Sequence, residues 1–190
     1  MRILTIANQL TLLRILAIPA FVLLLTYGYL GWALTIFVSA GLTDALDGLI
    51  ARRANQRTSL GAWLDPMADK LLLVTTFVAL TIPALDVTNH IPLWLTILLI
   101  SRDIVIVAVV AIVNLAVGPR TFRPSLLGKA ATATYIVVSV VFLYFNWQQR
   151  RSWLVDAAVW AALALTLVSS LDYFIRMRRL LNEEEGPKRK

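Results

Sequence analysis

The stretch DALDGLIARRANQRTSLGAWLDPMADK, residues 44–70, carries four aspartates between two long apolar segments. An ionisable side chain at membrane depth is costly, so it is expected to have both a partner and a function there. The apolar segments on either side therefore indicate the fold, and the spacing of the four aspartates indicates the chemistry.

The composition is that of an integral membrane protein. Of the 190 residues, 59% are hydrophobic and 15% are charged, whereas a soluble domain is about a quarter charged. The sequence contains no cysteine, which excludes disulfides, thiolate metal sites and cysteine nucleophiles. The net charge is +7, but the basic residues lie in short clusters between apolar runs, as at membrane flanks. We therefore expect no nucleic-acid partner.

Six apolar segments are each long enough to cross a bilayer, which requires about 20 residues. They are 8–27, 31–52, 61–82, 92–116, 128–147 and 153–175. Each is predicted to be a helix, because a helix satisfies its own backbone hydrogen bonds in lipid. The predicted fold is an all-α membrane bundle of six transmembrane helices, forming a single domain over residues 1–181, with a polar and disordered tail at 182–190.

The distribution of basic residues predicts the orientation. Nine of the 18 lie on one side of the predicted bundle, at the N-terminus or after an even-numbered span: Arg2, Arg52, Arg53, Arg57, Arg120, Arg123, Arg176, Arg178 and Arg179. The predicted loops on the other side contain only Arg150 and Arg151. Because basic residues are enriched in cytoplasmic loops, both termini are predicted to be cytoplasmic.

The four aspartates occupy two helical stripes at the cytoplasmic ends of spans two and three. Asp44 and Asp47 are three residues apart, and Asp65 and Asp69 are four residues apart, so each pair lies on one helix face. At ~1.5 Å per residue, Asp47 and Asp65 lie about 6 to 8 Å from the cytoplasmic helix ends, and Asp44 and Asp69 about 12 Å. The antiparallel helices are thus predicted to bring the carboxylates together in two level pairs. Pro66 should disturb a helix beyond its first turn, so span three is expected to begin later or to bend there.

Clustered carboxylates of this kind favour a divalent metal site. Like charges at close range oppose ionisation, and bound cations remove that repulsion. A set of oxygen ligands suits Mg²⁺ or Mn²⁺ rather than Zn²⁺, and two ions bridged by shared carboxylates are the expected filling. Gly48, Ala51 and Gly61 lie on the same faces and would let a bulky polar ligand approach the backbone. A single aspartate near a helix end would instead be interpreted as an interfacial group.

The pattern Asp44-x2-Asp47-Gly48-x2-Ala51-Arg52-x8-Gly61-x3-Asp65-x3-Asp69 resembles the complete signature of the CDP-alcohol phosphatidyltransferases. The stretch NQLTLLR, residues 8–14, is similar to the N-terminal segment of the first helix in the phosphatidylglycerophosphate and cardiolipin synthases of this family, with Ala7 in place of a frequent proline. The resemblance implies a reaction in which an alcohol attacks the β-phosphorus of CDP-diacylglycerol, expels CMP and forms a phosphodiester lipid.

The resemblance also implies roles for individual residues. Asp44, Asp47 and Asp65 would chiefly bind metal ions, and Asp69 would either complete the metal site or accept the proton of the attacking hydroxyl. The CDP-lipid site would be lined by Gly48, Ala51, Arg52 and Gly61. For Arg52, anchoring at the cytoplasmic membrane surface is an equally good interpretation. The family further suggests a homodimer in the bacterial plasma membrane, with the active site in the cytoplasmic half.

Four basic residues in and between spans four and five are candidates for binding a phosphate of the acceptor: Arg102, Arg120, Arg123 and Lys129. Arg102 and Asp103 lie about 15 Å from the outer end of span four. Adjacent residues of a helix do not face each other, so we expect them to have separate partners. An ion pair with another helix is the alternative for Arg102, and close helix packing is the alternative for the segment around Lys129.

Two acceptors and one different class of function stay open from the sequence. Glycerol 3-phosphate would give phosphatidylglycerophosphate and is the preferred acceptor, whereas phosphatidylglycerol would give cardiolipin. The sequence ISRD, residues 100–103, and the single lysine of GKAAT, residues 128–132, favour the second acceptor slightly. An ion-coupled transporter is the rival class. Its acidic residues would mark a path across the bilayer, whereas the four aspartates lie together in the cytoplasmic half.

Overall fold

The computed structural model of the chain describes residues 6–54, 59–117 and 125–185, and it describes side chains for 12–43, 68, 70–112, 114–115 and 125–178. These residues form six α-helices and no strand, which confirms the all-α prediction for the described part of the chain. The helices are α1 (Ile6–Thr26), α2 (Leu30–Ala54), α3 (Ser59–Thr81), α4 (Leu93–Val117), α5 (Leu126–Trp147) and α6 (Trp153–Glu185).

Two predicted helix limits are wrong. The sixth helix runs to Glu185, past the predicted end of the span and into the first four residues of the tail that was predicted to be disordered. Leucines, arginines and glutamates in this stretch favour helix, and the helix-terminating residues Gly186 and Pro187 come only afterwards. The third helix begins at Ser59 and is helical through Pro66, so the first alternative, a later start, is wrong, and the second, a bend at Pro66, stays a prediction.

Three of the helices are long and apolar enough to cross a membrane. They contain the stretches Leu93–Ile112, Leu126–Trp147 and Trp153–Arg178, with mean hydropathies of 2.5, 1.8 and 1.9. Among the described residues, α1, α2 and α3 contribute shorter apolar stretches, Leu12–Thr26, Leu30–Thr43 and Lys70–Thr81. The chain is thus a helical membrane protein.

The chain divides into two compact units. The first unit consists of Met1–Pro92 and Ser139–Val155, and the second consists of Leu93–Val138 and Asp156–Lys190. The first therefore contains α1, α2, α3 and the end of α5, whereas the second contains α4, the start of α5 and most of α6. The predicted metal ligands belong to the first unit, and the predicted acceptor residues belong to the second.

A tight turn sets the antiparallel arrangement of α1 and α2 in the first unit. Gly28 has a φ of 77°, a left-handed conformation that glycine adopts without steric cost. Its N–H donates to the carbonyl of Leu25 at 3.2 Å, and the N–H of Tyr29 donates to the carbonyl of Leu24 at 2.8 Å. This is the Schellman arrangement that ends a helix, and α2 begins directly afterwards at Leu30.

The helices α1 and α2 pack against each other through two rows of buried side chains with heptad-like spacing, called the α1 and α2 seams below. Leu25 and Phe21 are buried on α1, and Ala33, Phe37 and Ala40 are buried on α2 at alternating spacings of four and three residues. The rings of Phe21 and Phe37 lie 6.2 Å apart. This spacing keeps each set of side chains on one helix face, and α1 packs along both α2 and α3.

A buried polar network holds the loop of residues 82–92, which connects α3 to α4. The Asn146 side chain is fully buried; its Oδ1 accepts from the backbone N–H of Asn89 at 2.7 Å, and its Nδ2 donates to the Asn89 carbonyl at 3.0 Å. The Asn89 Nδ2 donates to the carbonyl of Arg150 at 2.9 Å. The network satisfies buried amide groups that would otherwise be costly, and so fixes the loop against the end of α5.

Hydrogen bonds made by side-chain hydroxyls tie the helices of the second unit together. The Tyr135 hydroxyl of α5 lies 2.7 Å from the Thr166 hydroxyl of α6, and Thr166 in turn donates to the carbonyl of Ala162 at 2.6 Å. The hydroxyl of Tyr173 on α6 donates to the carbonyl of Ile106 on α4 at 3.4 Å. These contacts place the polar residues of α4 and α6 beside the start of α5.

Candidate functional site

The positions of the first two signature aspartates continue the spacing of the buried α2 residues toward the C-terminal end of the helix. The buried positions 33, 37 and 40 of α2 are followed at the same alternating spacing by positions 44 and 47, which lie within the helix. The backbone therefore places Asp44 and Asp47 on the helix face that packs in the core. Their side chains lie outside the described residues.

The other two aspartates hold the equivalent place on α3. Leu72 and Thr76 are buried, and positions 65 and 69 precede them by seven residues each within the same helix. A shift of seven residues returns to nearly the same face of a helix. The side chains of Asp65 and Asp69 also lie outside the described residues, as do those of the predicted lipid-site residues: Gly48, Ala51, Arg52 and Gly61.

The donor chemistry of these positions fits a hard divalent cation. Four carboxylates supply oxygen ligands only, the type that Mg²⁺ and Mn²⁺ prefer. Among the side chains that the structure describes, no group of three acidic residues or histidines could hold a metal ion. The four signature aspartates on α2 and α3 would supply such a set, and a metal site there stays a prediction.

Sequence reasoning missed one residue in this part of the first unit. Arg14 lies on α1, seven residues before Phe21, and is only 4% exposed. It extends the α1 seam of Leu25 and Phe21, so its side chain belongs to the buried face and not to the lipid-facing one. The signal was available in the sequence, because an arginine at i−7 from a seam phenylalanine falls on the same face.

Arg102 lies in a polar cluster of the second unit. Its Nη1 is 2.9 Å from Oδ1 of Asp103, and these side chains are 11% and 13% exposed. Its Nη2 donates to Oγ of Ser169 on α6 at 3.2 Å. The expectation of separate partners for Arg102 and Asp103 is therefore wrong, and the ion pair lies within α4 rather than between helices. The long arginine side chain can turn back to its neighbour, and burial strengthens that attraction.

The start of α5 adjoins this cluster. Oγ of Ser125 accepts from the N–H of Gly128 at 2.9 Å, which caps the helix. A Cβ at Gly128 would lie 3.6 Å from Nη2 of Arg102, so the guanidinium reaches the first turn of α5. Lys129 follows and is exposed. In the described part of the chain, Nε of Arg102 is buried without a hydrogen-bond partner.

Two further charged residues of the second unit lie near the same cap. Arg176 and Asp172 form an ion pair along α6, with Nε 3.0 Å from both carboxylate oxygens. The side chain of Ser125 lies beside the Asp172 carboxylate. Sequence reasoning treated Arg176 only as a membrane-flanking charge. The remaining predicted acceptor residues, Arg120 and Arg123, lie outside the described residues.

The cluster offers what a phosphate group needs. A helix N-terminus presents backbone N–H groups and a positive dipole end, and a guanidinium offers a planar fork of donors. Here the two features belong to the first turn of α5 and to Arg102. Asp103 offsets part of the positive charge of Arg102. The cluster therefore suits an anion that can compete with the Asp103 carboxylate for the guanidinium, and it suits less well an anion that needs a strongly basic pocket.

The family model for CDP-alcohol phosphatidyltransferases matches residues 4–168 of the chain. The matched range contains all four signature aspartates, Arg14 and Arg102. It therefore covers the metal-type positions of the first unit and the α4 and α5 residues of the polar cluster, but it ends before the α6 residues of that cluster, Ser169, Asp172 and Arg176.

Curated proteins of two named activities are similar to the chain over most of its length. A cardiolipin synthase (CMP-forming) of Streptomyces coelicolor is 32% identical over 96% of this chain and 87% of its own length. A probable phosphatidylglycerophosphate synthase of Mycobacterium tuberculosis is 34% identical over 94% of this chain and 84% of its own length. The human cardiolipin synthase (CMP-forming) is 38% identical over 70% of this chain and 48% of its own length.

Proposed function

Since the chain belongs to the CDP-alcohol phosphatidyltransferase family, we propose that it transfers a phosphatidyl group from CDP-diacylglycerol to glycerol 3-phosphate and releases CMP. CDP-diacylglycerol-dependent phosphatidyl transfer is the activity of the chain and makes it an enzyme of phospholipid synthesis. The family match favours this activity over the rival transporter. The identity of the acceptor, glycerol 3-phosphate, is what we propose beyond the activity of the family.

The family generally depends on a divalent metal. We assign two Mg²⁺ or Mn²⁺ ions to Asp44, Asp47, Asp65 and Asp69. The assignment is supported by helical spacing, since these four positions fall on the same faces of α2 and α3 as the buried residues farther along each helix. Bound there, the metal would neutralise negative charge on the pyrophosphate and on the leaving CMP.

The remaining chemistry is assigned to side chains of the first unit. Asp69 accepts the proton of the attacking hydroxyl, whose oxygen forms a bond to the β-phosphorus while the bond from that phosphorus to the CMP oxygen breaks. A nearby carboxylate suffices as the base, because positioning and electrostatics carry most of phosphoryl transfer. Gly48, Ala51 and Gly61 leave room for the cytidine and pyrophosphate, and Arg52 neutralises phosphate charge or anchors the helix end.

The acceptor assignment depends on the polar cluster of the second unit. Arg102 reaches the first turn of α5, with a Cβ position at Gly128 only 3.6 Å from its Nη2. A buried guanidinium beside a helix N-terminus favours binding of a phosphate group. Arg120, Arg123 and Lys129 are assigned to the same phosphate. This placement of Arg102 is the observation that carries glycerol 3-phosphate as the acceptor.

Phosphatidylglycerol is the second candidate acceptor, and one observation favours it. The Arg102–Asp103 pair at 2.9 Å leaves less positive charge for a dianion, whereas a phosphodiester carries a single negative charge. The Streptomyces coelicolor relative bears the name of the corresponding activity, a cardiolipin synthase. Both acceptors present a glycerol hydroxyl and a phosphate, so the same cluster would serve either.

Kinetics with each acceptor test the proposal. Purified protein in nanodiscs receives CDP-diacylglycerol and Mg²⁺ with glycerol 3-phosphate or phosphatidylglycerol, and both CMP and the lipid product are measured. We expect phosphatidylglycerophosphate and a higher kcat/KM with glycerol 3-phosphate. Turnover with phosphatidylglycerol alone would replace the first acceptor by the second. The absence of CMP release with both would contradict the proposed acceptor class.

We also propose six membrane spans with both termini and the active site on the cytoplasmic side of a bacterial plasma membrane, in a homodimer. The three apolar helices and the one-sided distribution of arginines support this topology. The cysteine-free chain allows a direct test with single cysteines at Ser59 and His90 and an impermeant thiol reagent on intact cells. Position 90 should react from outside, and position 59 should not. The reverse labelling would contradict the orientation.

A further inference from the structure

Arg14 is a buried cation without an acidic residue in its own helix. The sequence of α1, IANQLTLLRILAIPAFVLLLT, contains no aspartate or glutamate, and Arg14 is 4% exposed. At ~1.5 Å per residue it lies about 12 Å from the start of the helix. A charge buried at such depth is costly unless an opposite charge lies beside it. The counter-charge must therefore come from another element.

The sequence of the first unit leaves few sources for that counter-charge. Its acidic residues are the four signature aspartates and Asp86. Asp86 is exposed in the loop after α3, at the opposite end of the unit from Arg14. One of the signature aspartates is thus the remaining source of negative charge within the unit.

The register of α1 and α2 selects Asp44. The helices are antiparallel, and the rings of Phe21 and Phe37 lie 6.2 Å apart. Arg14 precedes Phe21 by seven residues and Asp44 follows Phe37 by seven, so both are displaced about 10.5 Å toward the cytoplasmic end. A step of seven residues also keeps each on the face of its phenylalanine. Arg14 and Asp44 therefore occupy facing positions at one level.

We propose that Arg14 is a positioning residue that pairs with Asp44 and holds this carboxylate for the divalent cation. The guanidinium has a planar fork that fixes a carboxylate in orientation as well as in charge. Groups that orient a metal ligand typically change metal affinity by about 10- to 100-fold when removed. The inference rests on the proposed metal site, because Asp44 is a ligand in that assignment.

A double-mutant cycle in EDTA tests the pair without metal or turnover. The variants are Arg14→Gln, Asp44→Asn and the double variant, and the readout is the thermal midpoint in detergent. In the native background Asp44→Asn breaks the pair, whereas in Arg14→Gln it only removes an uncompensated negative charge. The shift caused by Asp44→Asn should therefore be more favourable in the Arg14→Gln background by about 4 °C.

Two matched cycles serve as controls. Arg14→Gln with Asp65→Asn changes a signature aspartate of α3, and Arg102→Gln with Asp44→Asn changes a buried arginine of the second unit. Both should be additive. Additive shifts for Arg14 with Asp44 would overturn the inference. If Arg14→Gln alone gives no folded protein, Asp44→Asn should restore the folded yield, and failure to restore it would also count against the pair.

Magnesium titration separates positioning from a purely structural role. Mg²⁺ should raise the thermal midpoint of the native protein, and Arg14→Gln should increase the Mg²⁺ concentration at half-effect by about tenfold or more, with Arg14→Lys in between. An unchanged half-effect concentration in Arg14→Gln would contradict positioning. If Mg²⁺ stabilises no variant while the cycle shows coupling, the metal assignment fails and the pair stands.

Discussion

The two units each bury an arginine inside apolar helices, but they neutralise it differently. Arg102 of the second unit has its carboxylate at the next position in the chain, with Nη1 2.9 Å from Oδ1 of Asp103, and a hydroxyl from α6. Arg14 of the first unit has no acidic residue in α1. One charge is balanced within its own helix, and we propose that the other is balanced by Asp44 of α2.

This difference separates two functions of a buried charge. A locally balanced guanidinium can exchange part of its hydrogen bonding for a ligand, because its carboxylate moves with it on the same helix. A guanidinium balanced by another helix ties two elements together, and its removal leaves a buried charge uncompensated. We therefore expect Arg102 to act on acceptor binding and Arg14 to act on the metal site.

The largest effect is expected from the signature aspartates themselves. Asp44→Asn or Asp65→Asn should abolish CMP release while the helical content by circular dichroism is unchanged, because each removes a charged oxygen ligand. Asp86→Asn, an exposed aspartate of the same unit, is the control and should retain activity. Full activity in Asp65→Asn would contradict the assignment of Asp65 on α3 as a metal ligand.

A smaller effect distinguishes the two arginines directly. Arg14→Gln should lower kcat/KM for both substrates by about 10- to 100-fold, and excess Mg²⁺ should recover much of the loss. Arg102→Gln should instead raise the acceptor KM and should not respond to Mg²⁺. Parallel kinetics of the two variants over a Mg²⁺ series make the measurement. If the kinetic constants of both variants respond to Mg²⁺ in the same way, the proposed difference between Arg14 and Arg102 is wrong.

The paired N–H donors of the Arg102 guanidinium are expected to contribute to acceptor binding beyond their positive charge. Arg102→Lys keeps the charge but loses the paired donors, so the acceptor KM should rise about ten- to hundredfold, the equivalent of roughly 1.5 to 3 kcal/mol for a charged hydrogen bond. The KM for CDP-diacylglycerol should change little, which is the internal control. An unchanged acceptor KM would assign Arg102 to structure alone.

The smallest effect is expected from the counter-charge in the second unit. Asp103→Asn leaves Arg102 with more positive charge, so the KM for glycerol 3-phosphate should fall by about two- to fivefold, the range of a weak ion pair. Kinetics at constant CDP-diacylglycerol measure it. A rise in that KM would mean that Asp103 orients Arg102 for the acceptor and does not compete with it.

The helices of the described part of the chain could be predicted from the sequence. Apolar length and turn residues predicted the six helices found there, because both depend on local patterns. The signature positions share helix faces with buried residues of α2 and α3, and the metal site at these positions stays a prediction. The end of α6 at Glu185 was missed, since polarity was interpreted as disorder although the same residues favour helix.

The side-chain partners could not be predicted in the same way. The Arg102–Asp103 pair contradicts a rule for rigid neighbours on a helix, because a long flexible side chain can turn back along its own surface. For Arg14 the sequence shows that it shares a helix face with Phe21, but the burial of that face depends on how α1 packs against its neighbours. Such contacts depend on tertiary packing, which periodicity does not specify.

CMP release by the purified native protein is the most direct test of a metal-dependent phosphatidyltransferase. The protein is supplied with CDP-diacylglycerol and glycerol 3-phosphate, first with Mg²⁺, then with excess EDTA, and finally with Mg²⁺ restored. We predict release in Mg²⁺, loss in EDTA and recovery when the metal returns. Release that continues unchanged in excess EDTA would contradict the metal site at the four aspartates.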